Sequence, residues 1–362
     1  NAMSTSRITA WGPPRAIFCL LAASLVLAVA ACERASEAGK PRELYVFNWE
    51  EYFAPDTLPN FEKEFGVKVV LETFKSEDEM LAGLQSQPGR YDVVVASGAM
   101  AWTLGQLKLL APVDRGRIPN FANVQERFRG LPFDPENRYS IPYLWGTTGL
   151  AINTKYIPED ANSWAVLWDP AYKGRLAMLN DPQEAVGAAL LALGHSFNPL
   201  GPQHLEAARM KLLEQRPLLA GYMDPMSIID GLVNEKLWAA ELYNGDALAA
   251  AKEHPNVIYV VPREGAALWV DNLVVPVGSR HREEAELFIN YILRPDVAGA
   301  IVNNLRYASP NQAATRHIQP DILANPSIYP DPQTWSRLEY YQPLDAETTQ
   351  RLNRIWAELL SP

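Results

Sequence analysis

The feature that most constrains the fold is a series of strands alternating with helices that starts at Leu44. LYVFNW predicts a first strand, and VKVVLETF predicts a second after a helix over 55–65 that ends at Gly66. A capping-box pattern over 76–79 marks the next helix, before YDVVVAS at 91–97. The uninterrupted valines of this third strand indicate burial on both faces. The series therefore predicts an α/β fold with a mostly parallel sheet.

A second unit of the same kind is predicted after residue 149. RLAML leads into an apolar-faced helix, a longer helix follows over 204–214, and WAAEL and VIYVV read as further strands. The run NLVVPV then resembles the first unit again, and a long helix starts at Glu283. We expect two discontinuous lobes with chain crossings near residues 149, 269 and 308. Their predicted ranges are 43–148 with 270–308, and 149–269 with 309–362.

The N-terminal segment is typical of export. Asn1 and Ala2 precede Met3 and are set aside as a cloning remnant, and two arginines precede an apolar run over 16–30. Residues 1–31 are therefore expected to be a remnant plus a signal peptide. The sequence VAAC ending at Cys32 resembles a bacterial lipobox, which predicts lipidation of Cys32 and a polar tether over 32–42. An ordinary signal peptidase site is the alternative.

Cysteine content agrees with that interpretation. The chain has two cysteines, and Cys19 lies inside the predicted signal peptide, so the exported domain has no disulfide. A lone thiol in an oxidising compartment is a liability, whereas a lipidated thiol is not.

The net charge of the chain limits the kinds of molecule that it is expected to bind. Loss of Arg7 and Arg15 with the signal peptide takes the formal net charge from -10 to -12. No basic cluster is present, which argues against nucleic acid and anionic membrane surfaces as partners. An acidic protein suits a cationic ligand.

Polar and aromatic residues gather where the predicted strands end. In open α/β sheets, ligands bind beyond the carboxyl ends of the strands. The residues at those positions are Trp49, Glu51, Tyr52, Ser97, Asp181, Glu184, Tyr243, Asp246, Trp269 and Asp271. Taken singly, most have structural explanations: Asp181 precedes Pro182 as a helix N-cap would, and Asp246 suits a cap for a helix starting at Ala247. Asp271 is different, because a carboxylate in a buried apolar strand must meet a cation or hydrogen-bond donors.

Signatures of catalysis are missing. The sequence has no GxSxG, Walker A, GxGxxG or HExxH motif, and its five histidines lack metal-ligand spacing. Asp181 and Glu184 could form an acid and base pair for glycoside hydrolysis, but nothing else supports an enzyme. We expect no catalysis, no cofactor and no metal.

Seven segments, taken in order, cover most of the exported chain: LYVFNWEEYFAPDTLPNFEKEFGVKVV, YDVVVAS, YSIPYLWGTTGLAINT, SWAVLWDPAYKGRLAM, PREGAALWVDNLVVP, INYILRPDVA and RYASPNQAA. Together they resemble the bacterial polyamine-binding proteins that serve ABC transporters. The resemblance implies the two-lobed fold of type II periplasmic binding proteins, with the ligand held in the cleft between lobes. It also implies a periplasmic receptor that delivers spermidine or putrescine to permease subunits and acts as a monomer.

The resemblance assigns roles to individual residues. Trp49, Tyr52, Trp269 and Tyr307 match aromatic positions around the polyamine, and Ser97 matches a polar contact. Glu51 matches an acidic position beside the first two aromatics, and Asp271 matches the carboxylate at the centre of the cleft. Asp181 and Glu184 match carboxylates that hold a terminal amine in spermidine binders, whereas Asp246 matches an acid of putrescine binders.

Two departures from the family pattern leave the ligand open. Ala99 stands where spermidine binders usually have tyrosine, and Tyr243 replaces a common tryptophan. The acidic pair with Trp269 favours spermidine, and Asp246 favours putrescine; we expect spermidine first. Tyr341 or Gln342 supplies a further candidate contact. The alternatives are a polyamine-sensing lipoprotein without a transport role, and a receptor for another organic amine.

Overall fold

The computed structural model of the protein describes residues 42–199 and 201–361. The predicted signal peptide, Cys32 and all but the last residue of its tether lie outside these residues. In the described part of the chain, no helix is long and apolar enough to cross a bilayer.

Ten strands form one mixed sheet. They are β1 Arg42–Trp49, β2 Val67–Phe74, β3 Val93–Ser97, β4 Ser140–Asn153, β5 Leu176–Leu179, β6 Leu219–Met223, β7 Ala239–Tyr243, β8 Val257–Val260, β9 Ala266–Val274 and β10 Leu338–Tyr340. The order is β2-β1-β3-β9-β4-β7-β5-β6, with β8 beside β4 and β10 beside β9.

Helices cover the sheet. The described helices are α1 Thr57–Phe65, α2 Glu77–Ser86, α3 Gly98–Gln106, α4 Pro182–Ala192, α5 Pro202–Gln215, α6 Pro225–Val233, α7 Asn244–Glu253, α8 Arg282–Ile292, α9 Pro295–Leu305, α10 Pro320–Leu323, α11 Pro332–Trp335 and α12 Ala346–Leu360.

Local sequence signals explain where several helices begin and end. Gly66 ends α1 at a φ of 64°, a left-handed conformation that glycine adopts without steric cost. The Ser76 side chain accepts a hydrogen bond from the Glu79 amide at 3.1 Å, which confirms the predicted cap of α2. The Glu79 carboxylate instead accepts from the Lys75 amide, so the second bond of an ideal capping box is shifted by one residue.

Two long strands, β4 and β9, join the halves of the sheet. They run antiparallel to each other from Ser140 opposite Val274 to Thr148 opposite Ala267. β9 also pairs with β3 on one side, and the end of β4 pairs with β7 on the other. The pairs β1 with β3, β5 with β6 and β5 with β7 are parallel. The predicted α/β fold is therefore confirmed, with antiparallel pairing concentrated at the two joining strands.

Three groups of buried side chains divide along these strands. The first core contains residues from 44–145 and 268–328. The second core lies around α4 and α5, and a third lies on the opposite face of β5. Leu176 and Met178 enter the second core, whereas Ala177 and Leu179 enter the third, because alternate strand residues point to opposite faces.

The packing of the C-terminal region differs from the predicted crossing near residue 308. Ala314, Ile318 and Ile328 are buried in the first core, and the chain joins the second core through Leu352 and Leu359 of α12. The predicted lobe ranges stay a prediction, and this packing favours a later final crossing.

Candidate functional site

Asp271 occupies the middle of the site because β9 is bordered by β3 and β4 there. Ser97 and Leu144 are its register partners on the two neighbouring strands. The Asp271 side chain is 9% exposed, and the Tyr52 hydroxyl donates a hydrogen bond to its Oδ2 at 2.6 Å. Burial raises the pKa of Asp271 to about 6, and the hydrogen bond from Tyr52 opposes this rise.

An aromatic group surrounds this carboxylate. The ring of Trp269 meets that of Tyr307 edge-on at 5.2 Å between centroids and that of Tyr243 at 6.1 Å. Tyr307 also contacts Tyr52 at 5.9 Å. A β-carbon at Gly146 would lie 2.2 Å from an atom of the Trp269 ring, so glycine is required for the indole to lie against β4. The predicted aromatic residues 52, 243, 269 and 307 are thus brought together.

Asp246 lies at one side of the aromatic group. The Tyr307 hydroxyl donates to its Oδ1 at 3.2 Å, and burial raises the pKa of Asp246 to about 6. The prediction that Asp246 caps a helix starting at Ala247 is wrong. α7 begins at Asn244, so Asp246 lies within its first turn.

A second acidic group lies at the start of α4. Asp181 caps this helix as predicted, since its Oδ1 accepts from the amides of Gln183 at 2.8 Å and Glu184 at 3.1 Å. Glu184 is buried, and its Oε1 accepts from the Thr148 hydroxyl at 2.6 Å and from the Tyr341 hydroxyl. Burial and the neighbouring Asp181 raise the pKa of Glu184 to about 8. Burial also raises the pKa of Asp181.

Glu241 belongs to the same acidic group, although sequence reasoning passed over it. This β7 residue is 0% exposed, and its Oε2 accepts from the Leu179 amide at 3.1 Å. Its Oε1 has no hydrogen-bond partner within residues 42–199 and 201–361. Burial, then Glu184 and Asp181, raise its pKa well above the ordinary value. A single carboxylate in the apolar stretch WAAEL is the signal that pointed to Asp271, and it would have found Glu241.

Glu77 was also missed as a site residue. Its Oε1 accepts a 2.9 Å hydrogen bond from the Ser97 amide. Burial raises its pKa to about 7; hydrogen bonds from Ser97 oppose this rise, and the charges of Asp271 and Asp181 add to it. Sequence reasoning had assigned this stretch to the cap of α2.

Trp49 and Glu51 occupy less central positions, whereas Ser97 lies beside Asp271 but uses its side chain to cap a helix. The Trp49 ring packs edge-on against Phe74 at 4.5 Å. Glu51 is exposed in the turn after β1 with a φ of 52°, and no hydrogen bond among the described residues joins it to the buried carboxylates. Ser97 caps α3 by accepting from the Met100 amide. Ala99 lies at the start of that helix.

The six carboxylates have no cation of the protein beside them. They are Glu77, Asp181, Glu184, Glu241, Asp246 and Asp271. Between residues 42 and 361, leaving out residue 200, no ion pair joins any of them to lysine, arginine or histidine. In the same residues, no group of three or more metal-binding side chains is arranged to hold an ion. Buried carboxylates beside aromatic faces can bind organic cations, because the carboxylates neutralise charge and the rings cover apolar segments.

Comparison with known proteins agrees with this architecture. Residues 58–330 match the family model of bacterial extracellular solute-binding proteins. The spermidine/putrescine-binding periplasmic protein of Salmonella typhimurium is 36% identical over 326 residues, which is 89% of this chain and 91% of the relative. The putrescine/cadaverine-binding protein of Pseudomonas aeruginosa is 33% identical over 92% of this chain and 98% of the relative.

A solved structure has the same fold. The spermidine/putrescine ABC transporter substrate-binding protein of Streptococcus pneumoniae aligns with a TM-score of 0.80 and 29% identity, covering 88% of this chain and 98% of its own. The predicted two-lobed binding-protein fold is thereby confirmed. On the extent of these matches, this chain belongs to the family of bacterial extracellular solute-binding proteins.

Proposed function

We propose that this protein is an extracytoplasmic receptor that captures a polyamine and delivers it to an ABC transporter, with spermidine preferred to putrescine. The observation that carries this proposal is a set of six carboxylates, three buried and three partly buried, that form no ion pair with a lysine, arginine or histidine in the described residues. They accompany the aromatic group of Trp269 and Tyr307, whose hydroxyl donates to Asp246. Charge of one sign in a buried site is costly unless a ligand neutralises it. The names of the Salmonella and Pseudomonas relatives support a polyamine as that ligand.

The division of the acids into three positions favours a triamine. The Tyr307 hydroxyl donates to Asp246, and the Tyr307 ring contacts the ring of Tyr52. The Tyr52 hydroxyl in turn donates to Asp271. The group around Glu184 forms a third acidic position, where the hydroxyls of Thr148 and Tyr341 fix the carboxylate. A polyamine carries ammonium groups joined by methylenes, and an aromatic face attracts an adjacent cation by about 0.5–2 kcal/mol per contact. Three acidic positions match three ammonium groups better than two.

Calorimetric titration of the purified protein with putrescine, cadaverine, spermidine and spermine tests this proposal. We expect spermidine to bind most tightly and putrescine next. A dicarboxylate such as glutarate is the matched control and is expected not to bind. Absence of heat with all four amines would exclude polyamine binding and leave another organic amine as the ligand.

The proposal also covers transport and membrane anchoring. We infer a periplasmic protein held at the membrane by a lipid on Cys32 that acts as a monomer on its permease. Metabolic labelling with an alkyne fatty acid should label the wild-type chain and not Cys32→Ser. Capture of permease subunits after cross-linking in cells would separate transport from a sensing role, in which a different partner is captured.

Catalysis is not part of the proposed role. Relatives named as binding proteins fit this expectation. Mass analysis of spermidine after overnight incubation with the protein is expected to return the amine unchanged, and a new product would contradict it.

A further inference from the structure

Glu77 lies near the site, but neither the sequence pattern nor the family resemblance assigns it a role in binding. It is the first residue of α2, and its Oε1 accepts the Ser97 amide hydrogen at 2.9 Å. Ser97 in turn lies opposite Asp271 in the pairing of β3 with β9. Two short steps therefore connect the start of α2 to the central carboxylate of the site.

Stabilisation of the helix does not explain this residue. An acid in the first turn of a helix is favoured by the exposed amides there, which would lower its pKa. Asp78 and Glu79 share that turn and are exposed to solvent. Glu77 shows the opposite behaviour, since burial raises its pKa to about 7 despite hydrogen bonds from Ser97. The ionised form of Glu77 is therefore unfavourable at this position unless a cation binds beside it.

The groups that act on Glu77 lie on two different parts of the molecule. Asp271 belongs to β9 beside β3, and Asp181 caps α4, which packs in the second core. The charges of both carboxylates raise the pKa of Glu77, in addition to the larger effect of burial. Among the described residues, Ser97 alone donates to the Glu77 carboxylate, which leaves its remaining acceptor capacity available to a ligand.

An independent observation indicates that this acidic region receives a donor. Glu241, whose pKa is raised by Glu184 and Asp181, is fully buried, and no described residue forms a hydrogen bond with its Oε1. Buried acceptors are almost always paired in folded proteins. Glu241 and Glu77 thus share Asp181 as a charge that raises the pKa of both.

We propose that Glu77 is a ligand-binding residue that holds an ammonium group of the polyamine between Asp271 and Asp181, and that Ser97 is its positioning residue. The Ser97 amide is used to fix the Glu77 carboxylate, and the Ser97 hydroxyl oxygen accepts from Met100. The polar contact that the family resemblance assigns to Ser97 is then made through Glu77. This inference rests on the proposed function.

Binding of an ammonium group at Glu77 is coupled to the release of protons. With a pKa of about 7, Glu77 is largely protonated in the ligand-free protein at pH 6.5. An ammonium group favours the ionised carboxylate, so its arrival displaces the proton into solvent. The charges of Asp271 and Asp181 act on Glu77, and the pKa values of both are also raised, so they contribute to the same release.

The test compares Glu77→Gln with Asp78→Asn. Glutamine keeps an oxygen that accepts from Ser97 but removes the charge. Asp78 is an exposed residue of the same helical turn, so its variant matches the change in net charge and in helix electrostatics. At pH 8 we expect Glu77→Gln to weaken spermidine binding at least tenfold, whereas Asp78→Asn stays within twofold of wild type.

Proton release distinguishes contact from a structural role. Calorimetric titrations with spermidine at pH 6.5, in two buffers of different ionisation enthalpy, measure the protons released on binding. We expect Glu77→Gln to release fewer protons than wild type. Affinity within twofold of wild type, or a lost affinity with unchanged proton release, would overturn the role of Glu77. Failure of the wild-type protein to bind any polyamine would instead overturn the proposed function.

Discussion

The Tyr52 hydroxyl donates a 2.6 Å hydrogen bond to Oδ2 of Asp271, a residue 219 positions later in the chain. The backbone carbonyl of Tyr52 accepts in turn from the Tyr143 hydroxyl at 2.6 Å, which fixes the turn after β1 against β4. Oδ2 of Asp271 is thus held by Tyr52, and no other hydrogen bond to this carboxylate comes from the described residues. This pair joins the first strand of the chain to the strand at the centre of the site.

Replacement of Asp271 by alanine is expected to abolish polyamine binding and to leave the fold intact. The carboxylate is the central negative charge of the site, and its loss leaves a desolvated ammonium group without a partner. Calorimetric titration measures the affinity, and circular dichroism checks the fold. Asp160→Asn, at an exposed position, is the matched control and should bind as wild type does. Unchanged affinity in Asp271→Ala would disprove the proposed site.

Removal of the Tyr52 hydroxyl should have a smaller, pH-dependent effect. A hydrogen bond to a charged group contributes about 1.5–3 kcal/mol, and this one favours the ionised form of Asp271. In Tyr52→Phe the pKa of Asp271 therefore rises above its value of about 6. The variant should lose more affinity at pH 6 than at pH 8. An equal loss at both pH values would show that the bond serves packing alone.

The two ends of the site should discriminate between ligands in opposite directions. Glu184→Gln removes charge from the group around α4, and Asp246→Asn removes it beside Tyr307. We expect the first variant to lose spermidine affinity by tenfold or more with a smaller loss for putrescine. The second should reduce putrescine binding more. Equal losses for both amines in both variants would contradict the assignment of separate ammonium positions.

The ligand-free protein should be more stable at pH 5.5 than at pH 8. The pKa values of Asp246 and Asp271 are raised to about 6, that of Glu77 to about 7 and that of Glu184 to about 8. The folded state therefore binds more protons than the unfolded chain in this window, and its stability falls as pH rises. A carboxyl whose pKa is higher by one in the folded state than in the unfolded chain changes the free energy of unfolding by about 1.4 kcal/mol across its titration.

Thermal unfolding with and without spermidine checks this expectation. The melting temperature without ligand should fall between pH 5.5 and 8, and saturating spermidine should raise it more at pH 8, where the carboxylates are ionised. The ligand-free melting temperature of Glu184→Gln should fall less over this range. A wild-type melting temperature that rises towards pH 8 would contradict the raised pKa values.

Substitution of Gly245 by alanine should impair binding through the aromatic group. A β-carbon there would lie 2.2 Å from Cε1 of Tyr307, so the ring must move away from Asp246 and Trp269. We expect a clear loss of affinity in a folded protein. Gly105→Ala is the control, since a β-carbon at that position in α3 would meet no described atom within 4 Å beyond its chain neighbours and its own helix backbone. Wild-type affinity in Gly245→Ala would show that Tyr307 does not contact the ligand.

Local chemistry made part of this protein predictable. The left-handed Gly66 and the caps at Ser76 and Asp181 depend on residues within four positions of each other, and all three are confirmed. Asp271 was identified because a carboxylate in an apolar strand needs a partner wherever the strand lies. The cap predicted at Asp246 was wrong because the turn at Asn244 and Gly245 already belongs to α7.

By itself, the sequence determined the alternation of strands and helices, the family and most of the residues at the ends of the strands. Periodicity and capping are local, so they can be read without knowing which strands are neighbours. Only the tertiary structure decided that Glu77 and Glu241 join the acidic site and that Tyr341, one of two candidates from the sequence, contacts Glu184. Their positions depend on the sheet order that places β9 between β3 and β4 and on the packing of α4 beside β4, and these contacts link residues far apart in the chain.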